Sequence, residues 1–148
     1  YNTVQECRSE AVAAVAKPVE QTATRLLQRI AGRRIGHIQL GEVFTPSAVL
    51  PETLEEAVGI DNLSGGEKEQ LYLATRLALA EVLAKDDRQL VVLDDVLTAT
   101  DTGRLARIMN ILEEAAQQLQ ILVLTCHPER YRGLAGAEFF DLEALVNT

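Results

Sequence analysis

Apolar residues recur at steps of three and four along the first thirty positions of the chain. They are Val4, Ala11, Val15, Val19, Ala23, Leu26 and Ile30. This spacing predicts a helix over residues 4–31 that ends at Gly32 as its C-cap. Because Pro18 interrupts the pattern, either the helix bends there or a second helix begins with Pro18 in its first turn. The chain starts at Tyr1, without Met and inside this pattern, so we expect it to be part of a longer polypeptide.

The middle of the chain changes to a pattern typical of strands. Alternation of apolar and polar residues predicts a strand over 37–43, and a second, short strand is predicted over 48–50. Pro46 and Pro51 border the second strand. The pattern over residues 52–62 predicts a short helix followed by a loop.

Helical patterns and short apolar runs alternate in the second half of the chain. Helices are predicted over 67–85 and 103–118, and buried strands over 89–93 and 120–125. The tail, residues 139–146, predicts a last strand and a short helix. Because helices alternate with buried strands, we expect an α/β fold with a parallel sheet and flanking helices.

Composition and charge limit the possible functions. The chain has 148 residues, of which 47% are hydrophobic and 24% charged, a balance typical of one globular domain. The formal net charge is −8. Residues 37–148 carry eight basic and nineteen acidic side chains, so this part is poorly suited to bind nucleic acid phosphates.

The two cysteines indicate a reduced cytoplasmic protein without structural zinc. Cys7 and Cys126 lie far apart and form no CxxC motif. Cys126 lies in an apolar run, so we expect a buried thiol. No apolar run reaches the length of about 18 residues that spans a membrane.

Three segments carry candidate chemistry, and the first is Leu63-Ser-Gly-Gly-Glu-Lys68. Ser64 is a good N-cap for the long helix, and Gly65 and Gly66 let a ligand approach the backbone closely. Free N–H groups and the helix dipole then favour an anion. An ordinary capped helix explains the same residues.

The second segment, residues 90–95, is an apolar strand that ends in Asp94 and Asp95. Strand ends at the mouth of an α/β sheet are where ligands bind. Asp94 would hold Mg²⁺ through water, and Asp95 would position or deprotonate an attacking water. A solvated turn after a strand explains the pair equally well.

The third segment is Thr125-Cys-His-Pro128, again at the end of a predicted strand. His127 can hydrogen-bond a terminal phosphate there, although a single histidine more often has a structural role. The order and spacing of the three segments are more distinctive than any one of them.

Together these segments resemble the C-terminal half of an ABC-type ATPase head. Residues 63–67 resemble the signature motif, residues 90–95 Walker B, residues 99–101 the D-loop, and His127 the switch histidine. Glu67 follows the glycines and Val96 follows the acidic pair, whereas transporter ATPases usually have Gln and Pro there. Residues 63–80 and 94–96 look more like the coiled-coil DNA-maintenance ATPases SMC, SbcC, RecF and YhaN.

The resemblance implies a P-loop NTPase-like parallel sheet with flanking helices. Residues 1–36 would be the end of a coiled-coil arm, and residues 37–148 the C-terminal ATPase lobe. Walker A needs Gly-Lys followed by Ser or Thr, and the chain contains no Gly-Lys dipeptide. The partner implied is therefore an N-terminal Walker A lobe of the same protein, without which this chain is inactive.

The resemblance also implies how ATP and Mg²⁺ are used. Two heads would enclose two ATP molecules, with Asp94 on Mg²⁺, Asp95 activating water and His127 contacting the γ-phosphate. The signature and the D-loop would lie at the nucleotide of the opposite head, through Ser64, Gly65, Gly66, Glu67 and Asp101. Hydrolysis would release the heads, and the whole assembly would act on DNA in repair or chromosome maintenance, without a membrane.

Two other functions remain open at this point. Asp95 replaces the usual Walker B glutamate and is one methylene shorter, so the chain could be a nucleotide-gated interaction lobe without efficient turnover. A transporter nucleotide-binding domain is the third alternative, against which Glu67, Val96 and the coiled-coil-like N-terminus argue.

Overall fold

The computed structural model describes residues 2–32, 36–41, 45–49, 57–58, 60–84 and 87–146. Within these ranges lie helices α1 to α4 and strands β1 to β5. Their bounds, in chain order, are α1 Asn2–Ala31, β1 His37–Leu40, β2 Pro46–Val49, β3 Ala57–Val58, α2 Gly65–Leu83, β4 Leu90–Asp94, α3 Thr102–Ala115, β5 Gln120–Leu124 and α4 Leu142–Val146. Short 3-10 turns cover Ile60–Asn62 and Pro128–Tyr131.

Helix α1 is a single helix that contains Pro18. This settles the two alternatives that the sequence left open, since no second helix begins at the proline. Gly32 has a φ of +75°, the left-handed conformation that a helix C-cap requires, so the predicted end of the helix is confirmed. Neither α1 nor any other helix in the described ranges is long and apolar enough to cross a bilayer.

The second half of α1 lies in the hydrophobic core rather than apart from it. Its buried residues pack with those of α2 and α3; they are Val19, Ala23, Leu26, Leu27 and Ile30. Two of its side chains accept hydrogen bonds from backbone N–H groups of β1. Thr24 Oγ1 lies 2.9 Å from Ile38 N, and Glu20 Oε1 lies 2.8 Å from Leu40 N. These contacts bind α1 directly to the first sheet, and the boundary at residue 36 stays a prediction.

An ion pair also joins α1 to α3. The two terminal nitrogens of Arg29 lie 2.7 Å from the two carboxylate oxygens of Glu114. This bidentate contact lowers the pKa of Glu114, since the charged carboxylate accepts both hydrogen bonds. The C-terminal end of α1 is therefore held against α3, the helix that follows Asp94 and Asp95.

The first sheet is antiparallel, with strand order β1-β2-β3. Much of the short helix and loop predicted over residues 52–62 lies outside the described ranges, and the described part contains a two-residue strand. Ala57 and Val58 pair with Val49 and Ala48, and a 3-10 turn follows. Pairing with the neighbouring strand β2 makes Ala57 and Val58 a strand, which the sequence pattern did not predict. Residues 50–56 lie outside the described ranges.

The second sheet contains β4 and β5, which are parallel and joined through α3. This crossover confirms the predicted α/β unit. Val91 and Leu93 of β4 point into the core, where they join apolar residues of α2 and α3. The helices therefore cover one face of this sheet.

The opposite face of the β4–β5 sheet is exposed, so the two strands predicted to be buried are covered on one face only. Leu90, Val92, Leu122 and Leu124 are 57%, 41%, 46% and 38% exposed. Side chains alternate between the faces of a strand, and the described helices pack on one face only. We call these four residues the bare face.

The tail also differs from its prediction. Residues 139–141 are exposed and form no strand, and only the short helix α4 is confirmed. Phe139 and Phe140 are 53% and 69% exposed. None of the described strands pairs with this segment, so its backbone groups take part in no strand ladder.

Candidate functional site

The carboxyl ends of β4 and β5 place the acidic pair beside the segment that contains the histidine. Asp94 pairs in register with Leu124, and Asp95 N donates to Leu124 O at 2.8 Å. Parallel strands end at the same edge of a sheet, so residues 94–95 and 125–127 lie together there. Asp94 and Asp95 are both exposed at this edge.

Asp95 is held by the two residues that precede His127. Its carboxylate lies 3.4 Å from Thr125 Oγ1 and 3.5 and 3.6 Å from Cys126 Sγ. Local loss of hydration and the contact with Asp95 raise the pKa of the Cys126 thiol, which keeps this group a neutral donor. The expectation of a buried Cys126 is wrong, because the strand ends before it and the side chain is exposed.

His127 lies on the exposed loop after β5. Its backbone N–H donates to Thr125 Oγ1 at 3.0 Å, and its Nδ1 lies 3.3 Å from Glu129 Oε1. Thr125 therefore contacts both Asp95 and His127. The ring is accessible to a ligand at the same edge as the carboxylates.

The start of α2 is a capping box. Ser64 Oγ accepts from Glu67 N, and Ser64 N donates to Glu67 Oε2 at 2.9 Å. The Ser64 hydroxyl also donates to that carboxylate at 2.7 Å. The predicted N-cap is confirmed, and Glu67 bends back onto the cap. Gly65 has open space where a Cβ would lie, which leaves the helix N-terminus accessible.

The segment after the acidic pair contacts the start of α2. We call residues 96–100 the link turn. A Cβ built on Gly66 would lie 3.3 Å from Ala99 O, and Thr98 Oγ1 donates to Glu69 Oε1 at 3.3 Å. Glycine at position 66 thus permits a close backbone approach. The link turn connects the acidic pair to the signature-like helix start.

Asp101 caps helix α3. Its Oδ1 accepts from Arg104 N at 3.0 Å, and its Oδ2 lies 3.3 Å from Arg104 Nε. The backbone N–H of Arg104 contributes most to lowering the pKa of this exposed carboxyl. The predicted contact of Asp101 with a nucleotide stays a prediction, and helix capping is the role that the contacts describe.

This pKa shift predicts how stability depends on pH. Because the folded pKa of Asp101 lies below the unfolded value of about 3.9, its stabilising effect is complete above the unfolded value and is lost as pH falls through the folded value. Asp101→Asn retains a capping side chain but cannot titrate. We expect urea denaturation to show a shallower fall in the free energy of unfolding between about pH 5 and 2. The exposed Asp61→Asn serves as control, and equal slopes in both variants would contradict the assignment.

The contacts of three residues near the link turn were not predicted from the sequence. Arg130 and Tyr131 donate to link-turn carbonyls, and Gln70 is fully buried under the start of α2. The Gln70 amide has no hydrogen-bond partner among the described residues. The spacing of Gln70 on the apolar side of α2 was the only available signal, and nothing local distinguished Arg130 from its exposed neighbour Arg132.

The residues present suit Mg²⁺ that arrives with a nucleotide. Within the described ranges, no group of three or more His, Cys, Asp or Glu side chains could hold a metal ion. Mg²⁺ usually binds through one or two carboxylates together with waters and phosphate oxygens. The exposed Asp94 fits that requirement as the carboxylate that this chain supplies.

Comparison with known proteins identifies relatives that are much longer than this chain. No established sequence-family model matches it. It is 42% identical over 105 residues, 70% of the chain, to an uncharacterized protein of Mycobacterium tuberculosis. It is 34% identical over 70 residues, 47% of the chain, to the DNA double-strand break repair Rad50 ATPase of Methanocaldococcus jannaschii. The chain spans about 12% and 7% of these two relatives.

Solved SMC heads share the fold. The SMC head domain from Thermotoga maritima aligns with a TM-score of 0.57 and 24% identity, over 87% of this chain and 44% of that one. A structure from work on ATP-driven dimerization and DNA-stimulated activation of SMC ATPases aligns with a TM-score of 0.63 and 16% identity. That alignment covers 90% of this chain and 84% of the other.

Proposed function

We propose, from the premise that this chain is the C-terminal portion of an SMC-like ATPase head, that it completes an ATP-hydrolysing site in a longer protein. One observation supports the proposal above the others. The acidic pair lies beside the histidine segment at one sheet edge, and the link turn joins that edge to the start of α2. Phosphoryl transfer depends mainly on positioning and charge stabilisation, which this arrangement can contribute.

The acidic pair would divide two tasks. Asp94 would hold the waters of Mg²⁺, and Asp95 would orient the attacking water and accept its proton. Bound Mg²⁺ supplies charge neutralisation at the phosphate oxygens. Thr125 and Cys126 donate toward Asp95, so they would hold the shorter aspartate side chain in one position. His127 would donate to the γ-phosphate.

The start of α2 would act on a second nucleotide. Its backbone N–H groups at Gly65 and Gly66 are the anion-binding feature, and Ser64 and Glu67 shape the cap around them. Asp101 would lie along the same contact. In this arrangement the chain serves one ATP with its strand ends and the ATP of a second head with its helix start.

The exposure of the bare face supports the proposal that an N-terminal lobe with Walker A packs against this chain. A parallel sheet normally has both faces covered, and this one exposes Leu90, Val92, Leu122 and Leu124. The sequence has no Gly-Lys dipeptide, and the Thermotoga head is more than twice the aligned length. The Walker A lobe would cover the bare face and bring its phosphate-binding loop to the acidic pair.

ATP would then act as a ligand that joins two heads of the same kind. We expect Ser64→Arg in the assembled head to abolish ATP-dependent dimerisation, because a long cation would occupy the space in front of the helix start. The measurement is sedimentation velocity of the co-expressed lobes with and without ATP. Gln117→Arg is the matched control, since it adds the same charge at an exposed site after α3. ATP-dependent dimers of Ser64→Arg would rule out this contact.

A nucleotide-gated interaction lobe is the second candidate. The observation that favours it is the carboxylate of Asp95, which is one methylene shorter than glutamate and already contacts Thr125 and Cys126. Such a lobe would bind ATP and dimerise without efficient turnover. The Asp95 variants discussed below separate the two candidates.

DNA repair or chromosome maintenance is the proposed setting. It is supported by the relative described as a DNA double-strand break repair Rad50 ATPase. This chain carries a net charge of −8, so other parts of the protein would supply most of the DNA contacts. This setting would place the protein in the cytoplasm at the nucleoid.

A further inference from the structure

Two residues in and beside the link turn have positive φ values, a backbone conformation that most residues other than glycine disfavour. Asp95 has a φ of +44° and Leu97 a φ of +71°. Aspartate tolerates this region because its short side chain can hydrogen-bond locally, but the conformation of Leu97 is strained and persists only where neighbouring contacts hold it. Leu97 is fully buried, which anchors its side chain, and its carbonyl accepts from Thr100 N at 3.2 Å within the turn.

Two residues just beyond His127 donate hydrogen bonds to carbonyls of the link turn. Arg130 Nη2 donates to Leu97 O and to Thr100 O, both at 2.8 Å. Tyr131 donates from its hydroxyl to Val96 O, also at 2.8 Å. Arg130 is half-buried and Tyr131 is 3% exposed, so both contacts are shielded from water. Three of the five link-turn carbonyls thus accept from one short segment.

We propose that Arg130 and Tyr131 are positioning residues for the ATPase site. They hold the link turn in its strained conformation and so set the direction of Asp95 on one side and of Asp101 on the other. The proposal rests on the proposed ATPase function for its effect on turnover. The placement of the link turn itself does not depend on that function.

Contacts on the other side of the link turn extend this role. Thr98 donates to Glu69 of α2, and Ala99 O lies against Gly66. The histidine segment, the acidic pair and the start of α2 are therefore joined through the link turn. A shift of His127 toward a phosphate would be transmitted by Arg130 to the helix start that serves the opposite nucleotide.

Arginine suits this position better than other cations. The planar guanidinium projects several N–H donors in fixed directions, whereas the lysine ammonium is compact and strongly hydrated. A single Arg130 nitrogen reaches two carbonyls three residues apart. We therefore expect Arg130→Lys to restore only part of the function that Arg130→Met removes.

The test uses the full-length protein that contains this chain. In Arg130→Met we expect kcat for ATP hydrolysis to fall about tenfold or more, with KM within about twofold, because hydrogen bonds from a charged group are lost. Amide hydrogen exchange of residues 95–101 should accelerate by a similar factor, while α2 and β4 keep their protection. Tyr131→Phe, which removes only the Val96 contact, should show a smaller change of the same kind.

Arg132→Met is the matched control, since Arg132 is exposed and lies two residues further along. Unchanged exchange of residues 95–101 in both Arg130→Met and Tyr131→Phe would overturn the proposal. Equal acceleration throughout the chain would also overturn it, because that result indicates a general structural role. If the wild-type protein shows no turnover, the proposed ATPase function fails, and the local exchange rates still decide the role of Arg130.

Discussion

Asp95→Asn is expected to lower kcat for ATP hydrolysis about a thousandfold while ATP binding stays within about twofold. Asparagine matches aspartate in size and can still accept hydrogen bonds from Thr125 and Cys126, so the strand end keeps its shape. It cannot accept a proton from the attacking water. The substitution therefore removes the proposed base and preserves the surrounding contacts.

Phosphate release and nucleotide binding should be measured on the head assembled with its Walker A lobe. Asp95→Glu is the companion variant, because it lengthens the side chain by one methylene and keeps the charge. We expect Asp95→Glu to retain turnover within about tenfold of the wild type. Asp141→Asn, at an exposed site before α4, controls for loss of an acidic side chain. Unchanged phosphate release in Asp95→Asn would favour the nucleotide-gated interaction lobe.

Val92→Asp is expected to weaken pairing with the Walker A lobe about a hundredfold or more, because an ionised carboxylate would be buried in an apolar contact. Val92 is central to the bare face, in a strand whose inward residues Val91 and Leu93 form the core. Since Val92 points away from that core, the substitution should leave the fold of this chain intact. Leu122→Asp on the neighbouring strand should have a similar effect.

The measurement is the dissociation constant of separately expressed lobes, with circular dichroism of each variant to check its fold. Leu83→Asp is the matched control, because Leu83 is 50% exposed at the end of α2 and lies outside the bare face. Loss of pairing in Leu83→Asp alone would show that the lobe binds elsewhere. Wild-type affinity in both Val92→Asp and Leu122→Asp would contradict a lobe on the bare face.

Local patterns were sufficient to predict much of the helical part of the fold. The spacing of apolar residues located α1, α2 and α3 to within a few residues, and Ser64 was identified as the N-cap of α2. These features depend on residues three or four positions apart, which contact each other within one helix. The segments proposed to carry chemistry were selected for a similar reason, because each is a short run with a characteristic order.

Contacts between distant parts of the chain were beyond this kind of prediction. The bare face exists because the described helices cover one side of β4 and β5. The contact of Cys126 with Asp95 joins residues 31 positions apart. A periodic pattern shows that a face is apolar, but it does not show what covers that face.

Patterns along the chain located helices α1, α2 and α3, the βαβ crossover and the residue types that end β4 and β5, since these follow from propensity and spacing. Only folding brings Arg130 and Tyr131 to the link turn and Gly66 to Ala99. Only the packing of the helices shows that one face of the parallel sheet is exposed. The difference arises because these two kinds of feature depend on interactions of different range along the chain. Backbone preferences act over a few residues, whereas hydrogen bonds to a turn and burial of a sheet face depend on segments that only folding brings together.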